Sequence, residues 1–146
     1  MALRRTYWTC QLLGWFAAAT TNMLLASLSE RAQAAPWQYA IVFFSGAAIA
    51  VACTHGYRAF IKRRRWVTLS LGRMLPRLIG ASLVVGITIV VLATPVWIAV
   101  FQDNVSPVSS WAPPAVLGWS WMVFVWNVLY FGVHYFERWR QSEVEK

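Results

Sequence analysis

The sequence predicts an all-α membrane protein of four transmembrane helices with both termini in the cytoplasm. Three observations predict it: a composition too apolar for water, four apolar runs long enough to cross a bilayer, and cations crowded on one side of those runs. Of 146 residues, 59% are hydrophobic and 12% charged, whereas soluble domains run nearer about 45–50% and about 25%. A chain of this length is expected to form one compact unit, so residues 1–146 are read as a single membrane domain.

The first apolar run extends from about Trp8 to Leu28, the second from about Trp37 to Phe60, the third from about Leu75 to Phe101 and the fourth from about Val116 to Phe136. Each meets the roughly 20 residues that a helix needs to cross the hydrocarbon layer. Lys, Arg, Asp and Glu are missing from their interiors; Arg58 and Arg77 fall in terminal turns, where a long side chain can reach the headgroups. In lipid the backbone must satisfy its own polar groups, so such runs are helices. A signal peptide rivals the first span, with Met1–Arg5 as its basic region and Ala32-Gln33-Ala34 as its cleavage site. The run exceeds the usual apolar stretch of about 7–15 residues, and it is read as a retained helix.

Orientation follows from the 13 Lys and Arg. Arg4 and Arg5 precede the first run, seven lie in or beside the connection over about residues 61–74, and Arg138, Arg140 and Lys146 follow the fourth run. Arg31 alone lies on the other side. The positive-inside rule then puts both termini and the basic connection in the cytoplasm. Aromatic residues agree, with Tyr7, Trp8, Trp66, Tyr135 and Trp139 at the inner boundary and Trp37, Tyr39, Trp97, Trp111 and Trp119 at the outer one.

The net charge of +8 raises nucleic acid as a partner. The cations sit at the ends of apolar runs and form no basic face, so anionic lipids are expected and nucleic acid is not. Lys62, Arg63, Arg64, Arg65, Trp66 and Arg73 are the candidate contacts with lipid or a partner, in a connection expected to lie along the membrane surface. The equal alternative is that these arginines only set topology. Residues Gln102 to Ala115, with Pro107, Pro113 and Pro114, read as an irregular external loop.

Small residues recur at four-residue spacing in the second helix: Gly46 with Ala50, Ala48 with Ala52, and Ala52 with Gly56. Such spacing lets helix backbones approach closely in lipid, against this chain or a neighbour. Pro95 is expected to kink the third span. Asn127, Tyr130 and His134 share one face of the fourth helix, where Asn127 and Tyr130 read as interhelical hydrogen-bonding residues. His55 and His134 lie at similar depth and are the haem candidates, because bundle interiors host such ligands; interfacial imidazoles are the plainer reading. Cys10 and Cys53 lack metal-ligand spacing and read as packing residues. Nucleotide-binding, zinc-protease and nucleophile-elbow motifs are missing, and no span holds an acidic residue. No catalysis, no metal and no cofactor are expected, and a proton relay is not either.

Three segments are more specific. Tyr7-Trp8-Thr9-Cys10-Gln11-Leu12-Leu13-Gly14-Trp15 opens the first helix, Thr54-His55-Gly56-Tyr57-Arg58 closes the second, and Asn127 to Arg138 (NVLYFGVHYFER) closes the fourth. In that order they resemble the N-terminal membrane domain of LytS/AlgZ-type bacterial sensor histidine kinases, over nearly the whole chain. The resemblance implies a bacterial inner-membrane location. It also implies a phosphoacceptor helix and an ATP-binding domain after the fourth helix, yet neither is found in this sequence, and His134 is not the phosphoacceptor. The expected function is therefore a non-catalytic accessory or scaffold subunit packing with other membrane protein subunits, for example in a respiratory or photosynthetic complex. The alternative is the sensing and dimerisation domain of a shortened sensor kinase.

Overall fold

The computed structural model describes residues 2–28, 35–66, 70–101 and 108–144. Four helices follow one another: α1 (Ala2–Leu28), α2 (Pro36–Arg63), α3 (Leu71–Val100) and α4 (Val108–Val144), with no strand among the described residues. Arg31, Asp103 and the Ala32-Gln33-Ala34 segment lie outside them. Three helical stretches, Pro36–Arg63, Gly72–Val100 and Ser109–Phe136, are long and apolar enough to cross a membrane. The chain is thus an all-helical, multi-pass membrane protein. At 27 residues α1 is as long as these spans need to be, but Gln11, Thr20, Thr21 and Asn22 dilute its apolar character.

Successive helices run antiparallel. Close backbone packing joins α1 to α2, α2 to α3 and α3 to α4, while α1 meets α4 mainly through side chains such as Trp15 against Trp119. The bundle therefore has a basic end, where α1 and α3 start and α2 and α4 finish, and a neutral end. Its interior is thin: Trp15, Ala19, Ala47, Ala50, Ile89 and Val123 form one buried cluster, and Tyr57, Ile61, Met74, Leu78, Tyr130 and Phe131 a second nearer the basic end. Large apolar side chains face outward on every helix, among them Phe16, Ile41, Val84 and Leu117. A surface this greasy suits lipid as its solvent.

At the neutral end, Gln38 joins two helix termini. Its Oε1 accepts from the Ala35 N–H at 2.8 Å, and its Nε2 donates to the Val100 carbonyl at 3.1 Å. One side chain thus satisfies a donor at the α2 start and an acceptor at the α3 end, groups that helices otherwise leave unpaired. Pro36 at the first position of α2 costs nothing there, since its missing N–H would have had no helical partner. At the basic end α2 finishes on Lys62 and Arg63, which complement the negative pole of the helix dipole. Arg65 then takes φ 52°, the left-handed conformation that turns the chain toward α3.

Two expectations need correcting. The external loop expected over Gln102 to Ala115 is shorter, because α4 already begins at Val108 and runs through Pro113 and Pro114. Proline's fixed φ is helical, and the only carbonyls that would have met amides at positions 113 and 114 belong to Ser109 and Ser110, exposed residues near the helix start. Trp111 stacks on Trp97 at 5.6 Å and 20°, holding this extra length of α4 against α3. At the basic end, α3 starts at Leu71, so Arg73 lies on a helix and the surface-lying connection shrinks to a turn of α2 plus a few residues. Pro76 and Pro95 both sit inside α3, which is continuous through them.

Candidate functional site

The interior carries two features of interest, a polar layer and a cavity above it. Gln11 on α1 is almost wholly buried, and its amide is used at both ends. The Nε2 donates to Thr54 Oγ1 on α2, while the Oε1 accepts from Trp126 Nε1 on α4. The Thr54 hydroxyl in turn donates to the Ala50 carbonyl at 2.7 Å. At the α3–α4 seam, Asn127 donates through Nδ2 to Ser82 Oγ at 2.9 Å. Together these bonds connect all four helices. In lipid, where apolar burial gives no preference for one helix pairing over another, such bonds and close packing select the arrangement.

The layer is not fully satisfied. The Tyr57 hydroxyl comes close to the Asn127 side chain, yet it and Asn127 Oδ1 both lack a hydrogen bond of good geometry. The buried Tyr130 hydroxyl lacks one too. Tyr130 instead stacks on Trp126 at 5.2 Å and 6°. Toward the basic end, the Arg58 guanidinium lies 3.8 Å over the Tyr7 ring and 6.0 Å from the Tyr130 ring centre, a cation–π arrangement that links α2 to α1 and α4.

The haem candidates have different immediate surroundings. His55 is exposed and stacks on Trp8 at 5.0 Å, with Tyr7 nearby. His134 is half-buried, its Nδ1 lies 2.9 Å from the Tyr130 carbonyl one turn earlier, and its ring rests on Tyr130 at 4.4 Å. Each imidazole is thus engaged by aromatic neighbours of its own. Among the described residues no group of three or more His, Cys, Asp or Glu could hold a metal ion. Both cysteines carry free thiols, Cys10 exposed and Cys53 half-buried.

The candidate lipid contacts divide. Lys62, Arg63, Arg64, Arg65 and Arg73 are exposed at the basic end. Trp66 folds back onto the bundle, edge-on to Phe60 at 5.4 Å and to Tyr57 at 6.4 Å. The small residues of α2 divide as well. Gly46 and Ala50 are buried, and a Cβ at Gly46 would stand 3.0 Å from the Trp119 ring. Ala48, Ala52 and Gly56 form an exposed row on the outside, and a Cβ at Gly56 would meet nothing within 4 Å.

Between the polar layer and the neutral end lies a cavity of about 310 Å³ to which all four helices contribute. Four tryptophans line it as two pairs, Trp15 with Trp119 at 5.9 Å and Trp97 with Trp111 at 5.6 Å. Among the described residues no charged side chain lines it. Sequence reading took Trp97, Trp111 and Trp119 for an outer aromatic belt, quoted Trp15, Gln11 and Thr54 only within the motifs of a family resemblance, and passed over Ser82. A polar residue inside an apolar run was the available signal for Gln11 and Ser82, as it was for Asn127. No family model, no curated protein and no solved structure matches the chain.

Proposed function

We propose that this protein is a non-catalytic accessory or scaffold subunit of the bacterial cytoplasmic membrane, which crosses the bilayer four times with both termini in the cytoplasm and packs within a larger membrane protein assembly. The observation that carries the reading is the exposed row Ala48, Ala52 and Gly56 on α2. Small residues at this spacing suit the docking of a partner helix, because they admit close backbone approach and many van der Waals contacts. Four crossings are supported by α1 itself. Leu12, Leu13, Phe16, Leu24 and Leu25 face outward like the lipid-facing residues of the other helices. Three of its polar side chains are bonded within the protein: Gln11 as above, Thr20 to the Phe16 carbonyl at 2.9 Å and Asn22 to the Ala18 carbonyl at 2.8 Å. A polar side chain satisfied in this way costs far less in hydrocarbon than a free one. Anionic lipids are the natural counterions of the exposed Lys62–Arg65 run, and the one-sided placement of the cations supports the orientation.

The test is purification in mild detergent followed by native gel electrophoresis, for the natural chain and for Ala48→Leu with Ala52→Leu. Both substituted positions are exposed, so the bundle itself is expected to fold. Loss of a larger complex with retained helicity supports the assembly role, and an unchanged complex overturns it. A second reading is the sensing domain of a shortened sensor kinase. It is favoured by the tryptophan-lined cavity together with α4, which runs as helix from its apolar stretch ending at Phe136 to Val144 and so joins the cavity to the basic side.

A further inference from the structure

At the basic end of the bundle, two arginines from different helices line one opening. Arg65 takes the left-handed turn that follows α2, and Trp66 folds back edge-on to Phe60 at 5.4 Å. Between this corner and the first turns of α3 lies an open pocket of about 380 Å³, lined by Phe60, Arg64, Trp66 and Arg77. That is the space of about a dozen waters, ample for a phosphate group with its ester arms. The Arg64 guanidinium carbon lies 5.7 Å from the Phe60 ring centre. A second opening shares Phe60 and Arg64 and adds Arg63, a third cation at the same corner.

The protein does not balance these charges within the pocket. Among the described residues no acidic side chain lines either opening. The stretch from Tyr57 to Arg77 holds seven Lys and Arg and no Asp or Glu. Twelve of the 13 cations belong to the basic end, against Glu137, Glu143 and Glu145. Two guanidiniums that line one opening repel each other, and an anion between them turns the repulsion into attraction. Arg77 adds a constraint of depth. It is the seventh residue of α3, about 9 Å along the axis from Leu71, inside the apolar stretch Gly72–Val100 and exposed there. A cation at that level of a span is costly without a counter-charge.

The walls distinguish a tethered anion from a free one. Half of the lining is aromatic, and Phe60 is 44% exposed, so the pocket sets apolar surface beside charge, as headgroup depth requires. Guanidiniums pair with phosphate through two parallel hydrogen bonds, and basic pockets between membrane helices on the cytoplasmic side take anionic head groups. We infer that the Arg64–Arg77 pocket is a discrete site for one anionic phospholipid, its phosphate held between the two guanidiniums and its ester-linked chains passing over Phe60 and Trp66. The site rests on the proposed pairing of the basic end with anionic lipids, and it is independent of whether the protein joins a larger assembly.

The experiment titrates the full chain in lipid-free detergent micelles with palmitoyl-oleoyl phosphatidylglycerol or with the phosphatidylcholine of the same chains, and native mass spectrometry counts the lipids retained. One phosphatidylglycerol per chain is expected, held in preference to phosphatidylcholine. Arg64→Gln and Arg77→Gln are each expected to weaken it about tenfold, the loss of a charge-assisted hydrogen bond. Lys62→Gln and Arg73→Gln remove the same charge from exposed positions of the same end that line neither opening, and they are expected to stay within about twofold. All four positions are exposed, circular dichroism checks the helices, and one folded variant of each pair suffices. Equal losses in the two pairs mean diffuse attraction by the whole basic end, so the pairing with anionic lipid stands and the discrete site falls. Equal retention of the two lipids by the natural chain overturns both. Displacement of phosphatidylglycerol by inorganic phosphate at tenfold excess assigns the pocket to a free anion and overturns the lipid site. None of these results bears on the native-gel test.

Discussion

Gly86 is the position where the α3–α4 seam is tightest, and replacing it with alanine is expected to open that seam. A Cβ built at Gly86 would stand 2.8 Å from the Ser120 amide nitrogen and 2.9 Å from its Cα, while ordinary contact begins at 3.4 Å. Those are backbone atoms, so no side chain can swing away, and the helices must separate locally by about half an ångström. Overpacking of this kind costs about 1–3 kcal/mol, or between about fivefold and about 150-fold in the ratio of folded to unfolded protein. Ser82 lies one turn before Gly86, so the same opening also loads the Asn127–Ser82 bond. Gly80→Ala on the same helix is the control, since a Cβ there meets nothing within 4 Å and alanine is the better helix former. Both variants are unfolded reversibly in mixed micelles with increasing denaturing detergent and followed by tryptophan fluorescence. Gly86→Ala is expected to lose about 1 kcal/mol or more while Gly80→Ala stays level or gains. If the two agree within about 0.5 kcal/mol, close α3–α4 packing is refuted.

Other substitutions probe the polar layer and the cavity wall. Gln11→Leu removes both interhelical bonds of the amide and leaves the Trp126 N–H without an acceptor; a loss of about 1–2 kcal/mol is expected in the same assay, and a double-mutant cycle with Trp126→Phe should show coupling between the two positions. Ser82→Ala is expected to cost about 0.6 kcal/mol, and less in an Asn127→Ala background, where the bond is already gone. Gly46→Ala presses on the Trp119 ring at 3.0 Å. That ring is the end of a side chain and can give way, so a smaller loss than for Gly86→Ala is expected, together with a shift in tryptophan emission as Trp119 moves at the cavity wall.

The helices were legible in the sequence because apolar runs of this length have one backbone solution in lipid. Their ends were less so. Pro113 and Pro114 read as loop, since proline breaks a helix interior, but near the start of α4 few bonds are there to lose, and the Trp97–Trp111 stack holds the turn. Which small residues face inward was not legible either. Gly46 and Ala50 point into the bundle while Ala48 and Ala52 point out, and the spacing along α2 is the same for both pairs. Asn127 announced itself as a polar residue on an apolar helix. Its partner Ser82 and the Gln11–Thr54–Trp126 connection depend on how three other helices are rotated, which no single helix encodes. The cavity was hidden for the same reason, because it is lined by tryptophans from α1, α3 and α4, of which Trp97, Trp111 and Trp119 read singly as interfacial anchors.

The number of crossings underlies the whole account, and α1 decides it. The direct measurement fuses green fluorescent protein or alkaline phosphatase to Met1 in one series and to Lys146 in another, in a bacterial host. Four crossings with a cytoplasmic basic side predict fluorescence and no phosphatase activity at both ends. Phosphatase activity at one end with fluorescence at the other would mean an odd number of crossings, leaving α1 outside the bilayer and contradicting the account.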